Sequence, residues 1–584
     1  MNRADSAPAF VGSPAAASPR RRALGFSDLR LVLIVLTLAH LGLRLIMIFG
    51  RRGPVIFADE TGYLTNSRLL AGGLAGTLQE AAFYRGGYSL FLLPATWLGQ
   101  TPLAEFRWAL ATNALLSALV VPLLYVVLRH VFHVAAPLAL ISAGVAGLYP
   151  PLVITTQLAW TESLMMLIAM VLILLIGIRG SSSQAAFCLS AARGAVAGLA
   201  YTVHGRSVVL GAVLILVLAC SLVVRPAGDA RRRAGLLLIT LTTLGLSIWL
   251  GTKLNAYLLS ASYGGRTTGG DIDRVLQNAA DPASAASVVA LGAGQYWYLI
   301  VATFGVASLG VAELLVRVVR DARSRRLSES TASALFILLS ILGLAILVGL
   351  FLRPATRPDH IVYGRYIEIF APILMAMGIV RAAQAPWSRV MLTLGVAFAS
   401  ATAAMAVFTA YSNGLVGTSP VNWLTVLALP SLAQPQNRIV PLTALLASAL
   451  GAAVVLFMLR RRPQYAVAIL AGAMLISAVV VRVQIISPRD QNIYGNASGD
   501  LRSVAGLVEA DLVAYDMAYY RPIGLYSFQW QLDRARLVLF DSRSDAIPAT
   551  QWVFAGADWP QGTKLGATRM WLQEEAGQAL WKMP

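Results

Sequence analysis

The stretch GPVIFADETGYLTNSRLLAGG, residues 53–73, follows a long apolar run and places two carboxylates, Asp59 and Glu60, side by side. The run before it, residues 31–49, is long enough to cross roughly 30 Å of hydrocarbon as an α-helix. The stretch therefore predicts that the chain crosses a membrane and presents acidic side chains in the first loop beyond it.

The composition extends this prediction to the whole chain. Of 584 residues, 57% are hydrophobic and only 12% are charged, with a mean hydropathy of +0.69, whereas about a quarter of a soluble domain is charged. We predict an α-helical polytopic membrane protein, because apolar runs of spanning length recur along the chain. About thirteen spans are expected, at residues 31–49, 106–128, 135–153, 161–178, 187–203, 207–224, 235–252, 291–316, 331–351, 367–383, 388–411, 440–459 and 464–482.

The arginines predict the orientation of these spans. A formal net charge of +19 would indicate a nucleic-acid partner for a soluble protein, but here the basic residues fall in short connections between apolar runs. Counted over alternate connections, they lie on one side, which is then the cytoplasmic side of the membrane. We expect the longer loops and the C-terminal tail on the outer face, and no nucleic acid as a partner.

Three parts are expected along the chain. Residues 1–28 are rich in Ala, Pro and Ser and are predicted to be a disordered cytoplasmic segment. Residues 29–482 form the membrane domain, whose first run is read as a retained anchor and whose segment 50–105 adds short helices in the outer interface. Residues 483–584 contain the strand-like runs DLVAYDM, RLVLFDS and QWVFAG and are predicted to be a small extracytoplasmic α/β domain that leans on the rest.

A metal site has weak support in the sequence. Cys188 and Cys220 both lie inside apolar runs, which indicates neither a disulfide framework nor a thiolate site. Asp271 and Asp273 form a DxD in a polar loop and could share a divalent cation. The glycines of the same loop favour a mobile lid instead. No cofactor is required, and a divalent cation stays open.

Asp59 has two interpretations. An Asp just before a helix is a good N-cap, and Glu60 would then suit the positive end of the helix dipole. Alternatively, a carboxylate at the outer face could take a proton in a reaction. The stretch alone leaves both open.

The order of several further segments changes that balance. In this order and spacing the chain resembles the GT-C superfamily of polytopic glycosyltransferases, the group that holds protein O-mannosyltransferases and lipid A aminoarabinose transferases. The segments that carry the resemblance are AFYRGGYSLFLLPATWLG, RWALATNALLSALVVPLLYVVLRHVF, YPPLVITTQLAWTESLMMLIAMVLILL, GAVAGLAYTVHGRSVVLGAV and IVYGRYIEIFAPILMAMG.

The resemblance implies a definite reaction. A polyprenyl-phosphate sugar would donate its glycosyl group, a hexosyl or pentosyl unit, to a hydroxyl of an envelope glycan, a glycolipid or a protein, usually with inversion. An Asp of the first outer loop is the general base of the superfamily, and Asp59 matches that position. Glu60 is expected to position the acceptor or the neighbouring loop.

Cations for the departing phosphate are expected among the outer arginines. Arg206 matches a basic residue that relatives follow with Pro, although Ser207 stands here instead. Arg365 matches an Arg–Tyr pair at the start of a late span, with an interfacial anchor as its alternative reading. Arg52 and Arg85 complete the predicted set. Relatives commonly have Pro before Gly–Tyr, whereas Arg85 and Gly86 stand here.

Glu162 matches a further recurring position near the outer end of a span. Thr161 could cap that helix, with Glu162 favouring its dipole, so a structural role is the alternative.

Two other function classes, a transporter and a scaffold, are also compatible with a chain of many spans. A lipid-linked sugar flippase or secondary transporter would also have many spans, but such proteins usually show repeated halves, and none is visible in this sequence. A scaffold that assists another glycosyltransferase is the third possibility. Sugar transfer by the purified protein would separate the three.

Overall fold

The computed structural model describes residues 26–224, 230–264, 269–324, 326–429, 438–494, 501, 504–507, 510–573 and 577–584. Helices dominate these residues. They are α1 Phe26–Ile48, α2 Asp59–Leu70, α3 Gly86–Leu98, α4 Pro102–His130, α5 Ala136–Ala146, α6 Pro150–Ile154, α7 Glu162–Gly177, α8 Ser183–Val203, α9 Val208–Val224, α10 Ala230–Ser262, α11 Gly269–Ala280, α12 Ser284–Ala302, α13 Val306–Arg323, α14 Glu329–Phe351, α15 Pro358–Ile361, α16 Ala371–Gln384, α17 Trp387–Tyr411, α18 Leu415–Thr418, α19 Pro441–Arg461, α20 Pro463–Val481, α21 Ser487–Tyr494, α22 Pro522–Gln531 and α23 Pro560–Lys564.

The prediction of a polytopic helical membrane protein is confirmed. Eleven helices of the described chain are long and apolar enough to cross a membrane, or twelve if the bent pair Ala136–Ala146 and Pro150–Gln157 counts as one span. Helix α7 is apolar but shorter, at 16 residues. The count of thirteen is therefore not confirmed, because two of the predicted runs form a bent pair and a short helix.

One predicted span differs in its internal geometry. The run expected as a single helix over residues 291–316 is divided between α12 and α13, with a break at residues 303–305. Gly305 has φ +74°, a left-handed conformation that glycine adopts without steric cost. The break lets α13 leave the direction of α12 and pack against α16.

Small residues bring the two long helices α8 and α10 close together. Gly194 and Gly198 of α8 face α10, where a Cβ at Gly194 would lie 2.1 Å from the Thr240 carbonyl oxygen. Such close backbone approach is typical of small residues between membrane helices. It fixes the C-terminal end of α8, where residues 204–207 form a polar break before α9.

The tail forms a five-stranded sheet of order β2-β1-β3-β5-β4. The three runs predicted as strands form its parallel part, while β4 and β5 add an antiparallel edge. The small C-terminal α/β domain is thus confirmed. The strands are β1 Leu512–Asp516, β2 Arg536–Phe540, β3 Trp552–Gly556, β4 Thr568–Gln573 and β5 Gln578–Lys582.

This sheet domain is hydrogen-bonded to the segment between α1 and α3. The backbone N–H of Thr77 donates to Gln529 Oε1 at 2.8 Å, and the Thr77 hydroxyl donates to the Leu537 carbonyl at 2.6 Å. Arg68 of α2 donates to the carbonyl of Trp530 at 2.9 Å. Helix α2 is therefore enclosed by the tail as well as by α3, and most of its residues are buried.

Candidate functional site

Asp59 is held by two side chains from distant parts of the chain. The Tyr84 hydroxyl donates to Asp59 Oδ1 at 2.8 Å, and the Trp160 indole N–H donates to Asp59 Oδ2 at 3.0 Å. Tyr84 can approach because Gly62 lacks a side chain, since a Cβ there would lie 2.1 Å from the tyrosine ring. The Asp59 side chain keeps 29% of its surface exposed, so its carboxylate is oriented and still reachable.

The N-cap interpretation of Asp59 does not describe this geometry. Helix α2 begins at Asp59 itself, its N-cap is Ala58, and no side chain caps the helix. The carboxylate accepts from the two aromatic side chains instead. Burial, and next to it the Asp59 charge, raise the pKa of the Tyr84 hydroxyl, so this hydroxyl remains protonated as a donor.

Glu60 has a different environment. Its side chain is fully buried and accepts backbone N–H groups of Val55 at 2.7 Å, Ile56 at 2.9 Å and Ala159 at 2.7 Å. Burial raises the pKa of the Glu60 carboxyl. Glu60 therefore connects the loop between α1 and α2 to the segment that carries Trp160.

Glu162 lies between two guanidinium groups. Arg365 Nε donates to Glu162 Oε1 at 2.5 Å, and an Arg206 nitrogen donates to the same oxygen at 3.2 Å. Thr161 occupies the N-cap position of α7, but its side chain makes no capping hydrogen bond. The carboxylate thus pairs with arginines from two other segments.

Arg365 connects the two acidic positions. Its guanidinium lies 3.7 Å from Asp59 Oδ2 and 3.3 Å above the centre of the Trp160 ring. Only 9% of the residue is exposed, and it enters from the 3₁₀ helix Gly364–Phe370. An interfacial anchor would extend toward headgroups, whereas Arg365 extends into the protein.

Arg206 is buried with spare donors. It lies in the 3₁₀ turn Gly205–Ser207, and its side chain is 1% exposed. Its Nε and one terminal nitrogen have no hydrogen-bond partner among the described residues, and the guanidinium lies 4.4 Å from the centre of the Tyr366 ring. Buried guanidinium N–H groups are normally satisfied, so these two nitrogens retain the capacity to donate to a further acceptor.

Arg85 joins the same cluster. Its guanidinium lies 4.1 Å from the Tyr201 ring centre and donates to the Tyr201 carbonyl at 3.3 Å. Burial and the charges of Arg206, Arg365 and Arg85 lower the pKa of His204, so this imidazole is neutral. Arg85, Arg206 and Arg365 therefore all lie close to His204, in the break between α8 and α9.

Other predicted site residues lie elsewhere. The Arg52 side chain is exposed, whereas the neighbouring Arg51 is buried against Asp490. Asp273 is exposed on α11, and the side chain of Asp271 lies outside the described residues. Within the part of the chain that the structure describes, no three His, Cys, Asp or Glu side chains form a group suited to a metal ion.

The aromatic members of the site were not predicted. Tyr84, Trp160 and Tyr366 each stand next to a predicted site residue or, for Trp160, two positions from Glu162. An aromatic side chain with a polar group beside a candidate charge is the signal that could have found Tyr84 and Trp160.

Comparison with known proteins identifies the fold. No protein-family model matches the chain, and no curated protein matches it. ArnT from Cupriavidus metallidurans bound to undecaprenyl phosphate has a similar structure, with a TM-score of 0.56 at 13% identity over 95% of this chain and 98% of ArnT. The apo state of that protein gives a TM-score of 0.55 at 14% identity over 94% and 97%. The chain thus has an ArnT-like fold over nearly its whole length.

Proposed function

We propose that this protein is a membrane glycosyltransferase that transfers a sugar from a polyprenyl-phosphate donor to a hydroxyl acceptor. The observation that carries the proposal is the position of the Asp59 carboxylate 3.7 Å from a buried arginine, within the cluster formed by Arg365, Arg206 and Glu162. A base beside a cation cluster suits a displacement that takes a proton and releases a phosphate.

The proposed step assigns one role to each group. Asp59 accepts the proton of the acceptor hydroxyl. The oxygen of that hydroxyl forms a bond to the anomeric carbon of the donor sugar, with inversion. The bond from that carbon to the phosphate oxygen breaks, and the electron pair leaves with polyprenyl phosphate. Arg206 and Arg365 hold the phosphate, with Arg85 at the edge of the cluster.

Glu162 and Glu60 act by positioning in this proposal. Glu162 keeps Arg206 and Arg365 together, because two buried guanidinium groups repel each other without a shared carboxylate. Glu60 keeps the loop of Asp59 against the segment of Trp160 through its three backbone hydrogen bonds.

The donor class has support from fold similarity. The ArnT structure holds undecaprenyl phosphate, and this chain covers nearly the same length. We infer a donor of this kind, with a hexosyl or pentosyl unit, and an acceptor hydroxyl on an envelope glycan, a glycolipid or a protein. The setting is the plasma membrane of a bacterium.

The test is transfer by the purified protein. The full chain in detergent is incubated with a panel of undecaprenyl-phosphate sugars and candidate acceptors, and released undecaprenyl phosphate is measured by mass spectrometry. We expect release with one donor that depends on the acceptor. Donor movement across proteoliposomes without release would instead identify a flippase, and loss of both activities would leave a scaffold role.

We further propose that the site faces outward, with the N-terminus cytoplasmic and the C-terminal domain outside, because the arginine-rich connections lie on the other side. An alkaline phosphatase fused after Pro584 is expected to be active, and one fused after Arg179 to be inactive. The reverse pattern in well-expressed fusions would contradict this orientation.

A further inference from the structure

A cavity lies between α7, α8, α9 and α10, at the ends of these helices that are distant from Arg206. It has a volume of about 1020 Å³ and is bounded by the end of α7, the start of α8, the end of α9, the start of α10 and the connection from α13 to α14. This size is that of a ligand-binding pocket.

The cavity is separate from the proposed active site. Ser221 lines it, and Arg206 lies 15 residues earlier on the same helical segment. At 1.5 Å per helical residue, the two are about 22 Å apart along α9. The cavity and the Arg206 cluster therefore lie at opposite ends of α9.

The lining of the cavity has an excess of positive charge. It includes two carboxylates, Asp321 and Glu329, and five arginines, which are Arg179, Arg193, Arg232, Arg233 and Arg326. Five positive and two negative side chains leave a formal excess of three.

Both carboxylates are engaged by other groups. Glu329 forms an ion pair with Arg179. Asp321 accepts the hydroxyls of Ser328 and Thr331 at 2.5 Å each, which fixes the start of α14. Both carboxylates therefore already have partners within the protein, while Arg232 and Arg326 expose their side chains at the mouth of the cavity.

One arginine is built into the wall. Arg193 Nε donates to the Leu175 carbonyl at 2.8 Å, and a terminal nitrogen donates to the Ile178 carbonyl at 3.2 Å. These bonds hold its guanidinium at the end of α7, where it lines the cavity.

The inner wall is apolar, with one orphaned polar atom. Ile176, Leu189, Val217 and Leu236 line it, which suits a hydrocarbon chain. The Ser190 hydroxyl, in a residue only 1% exposed, has no hydrogen-bond partner in the described parts of the chain. Buried hydroxyls are rarely left unpaired, so this atom indicates a hydrogen-bond partner outside the described residues.

We propose that this cavity binds an anionic glycerophospholipid of the arginine-rich leaflet. Its phosphate pairs with the arginines at the mouth, and one acyl chain lies along the apolar wall. Basic pockets between membrane helices bind phosphate headgroups in this way, and guanidinium groups make charge-assisted bonds to phosphate. The alternative is that these arginines only orient the chain in the membrane. That role requires arginines near the membrane surface, but it requires neither a cavity nor an apolar wall.

The test is lipid binding to the full chain in detergent, measured by native mass spectrometry. Dioleoylphosphatidylglycerol is expected to bind more tightly than dioleoylphosphatidylcholine. Arg232→Gln with Arg326→Gln removes two exposed arginines of the mouth and is expected to weaken phosphatidylglycerol binding about thirtyfold. Ser221→Trp leaves every charge in place but fills the wall, and a similar loss is expected.

Arg460→Gln with Arg461→Gln is the matched control, because these two arginines end α19 and do not line the cavity. Its binding is expected to stay within about twofold of wild type. Equal binding of the two lipids, or unchanged binding in both cavity variants, would overturn the proposal. Displacement of the lipid by excess inorganic phosphate would show a site for a free anion, and tighter binding of undecaprenyl phosphate would assign the cavity to a polyprenyl lipid; either result overturns the glycerophospholipid.

Discussion

Asp59 and Glu60 are neighbours in the chain, yet their carboxylates lie in two different regions. Asp59 is partly exposed and accepts hydrogen bonds from two side chains, while Glu60 is fully buried and accepts three backbone N–H groups. Successive residues at the start of a helix point about 100° apart, which separates the two groups. One position is suited to chemistry and the other to holding the loop.

The contrast also separates two kinds of evidence. A carboxylate whose partners are all backbone atoms stabilises a fold, whatever reaction occurs nearby. A carboxylate that is held by side chains, stays partly exposed and faces an arginine cluster has a further use. Substitution of Asp59 should therefore lower activity and leave stability unchanged. Substitution of Glu60 should lower stability and leave activity nearly unchanged.

The largest expected effect is on turnover in Asp59→Asn. Asn keeps the size of the side chain but cannot act as a base, and losing a positioned base removes a factor of about 10² to 10⁴ in rate. Turnover with the best donor should fall by this factor, while the melting temperature and donor binding stay near wild type.

Asp273→Asn is the matched control for that variant, since its carboxylate is exposed on α11, away from the arginine cluster. It should leave turnover unchanged. An Asp59→Asn protein that retains most of its activity would reduce Asp59 to a partner of Tyr84 and Trp160.

The next largest effect is expected at Arg206, the proposed ligand of the donor phosphate. Arg206→Lys keeps the charge but loses the planar donor pair, so the KM for the donor should rise about tenfold or more, with a smaller change in kcat. Arg52→Lys is the control, because the Arg52 side chain is exposed. If donor binding by Arg206→Lys equals that of wild type, the unpartnered atoms of Arg206 do not contact phosphate.

Local sequence patterns predicted much of this molecule. Runs of apolar residues indicated the helical membrane fold, and the first three strands were visible as short apolar segments between polar turns. Asp59, Glu162, Arg206 and Arg365 were singled out through resemblance, and the structure brings these four together. Their roles stay predictions.

What could not be predicted depends on contacts between distant segments. Trp160 reaches Asp59 across 101 residues, and no local pattern reports such a pair. The exposure of Arg52 next to the buried Arg51 is set by Asp490, which lies more than 400 residues away. The burial of α2 likewise depends in part on contacts with the docked tail, which its own sequence does not report.

A third prediction concerns Glu60, where stability should change instead of chemistry. Glu60→Gln turns Oε2, the acceptor of the Ala159 N–H, into a donor, so the free energy of unfolding should fall by about 1–3 kcal/mol. Residual turnover per folded molecule should stay within a few-fold of wild type. The measurement is thermal unfolding of the purified protein, followed by an activity assay on the folded fraction.

The pH dependence of that variant has a definite sign. Burial raises the pKa of Glu60 above the ordinary value of 4.5, so the folded state holds its proton to a higher pH than the unfolded chain. The stability that this group contributes is present below the ordinary pKa and is lost as the pH rises through the folded pKa. The advantage of wild type over Glu60→Gln should therefore shrink with rising pH, and an advantage that grows would contradict this account.

The smallest effect is expected at Trp160, which lies between the two regions. Trp160→Phe removes the indole N–H that donates to Asp59 Oδ2 but keeps an aromatic ring beneath Arg365. One hydrogen bond to a positioned carboxylate is lost while the Tyr84 hydroxyl still holds the other oxygen, so kcat should fall about five- to tenfold. The KM for the donor should be unchanged, because the arginine cluster keeps its ring contact, whereas Trp160→Ala should raise the KM as well. If Trp160→Phe and Trp160→Ala behave alike in both parameters, the indole only fills space, and the orientation of Asp59 must come from Tyr84 alone.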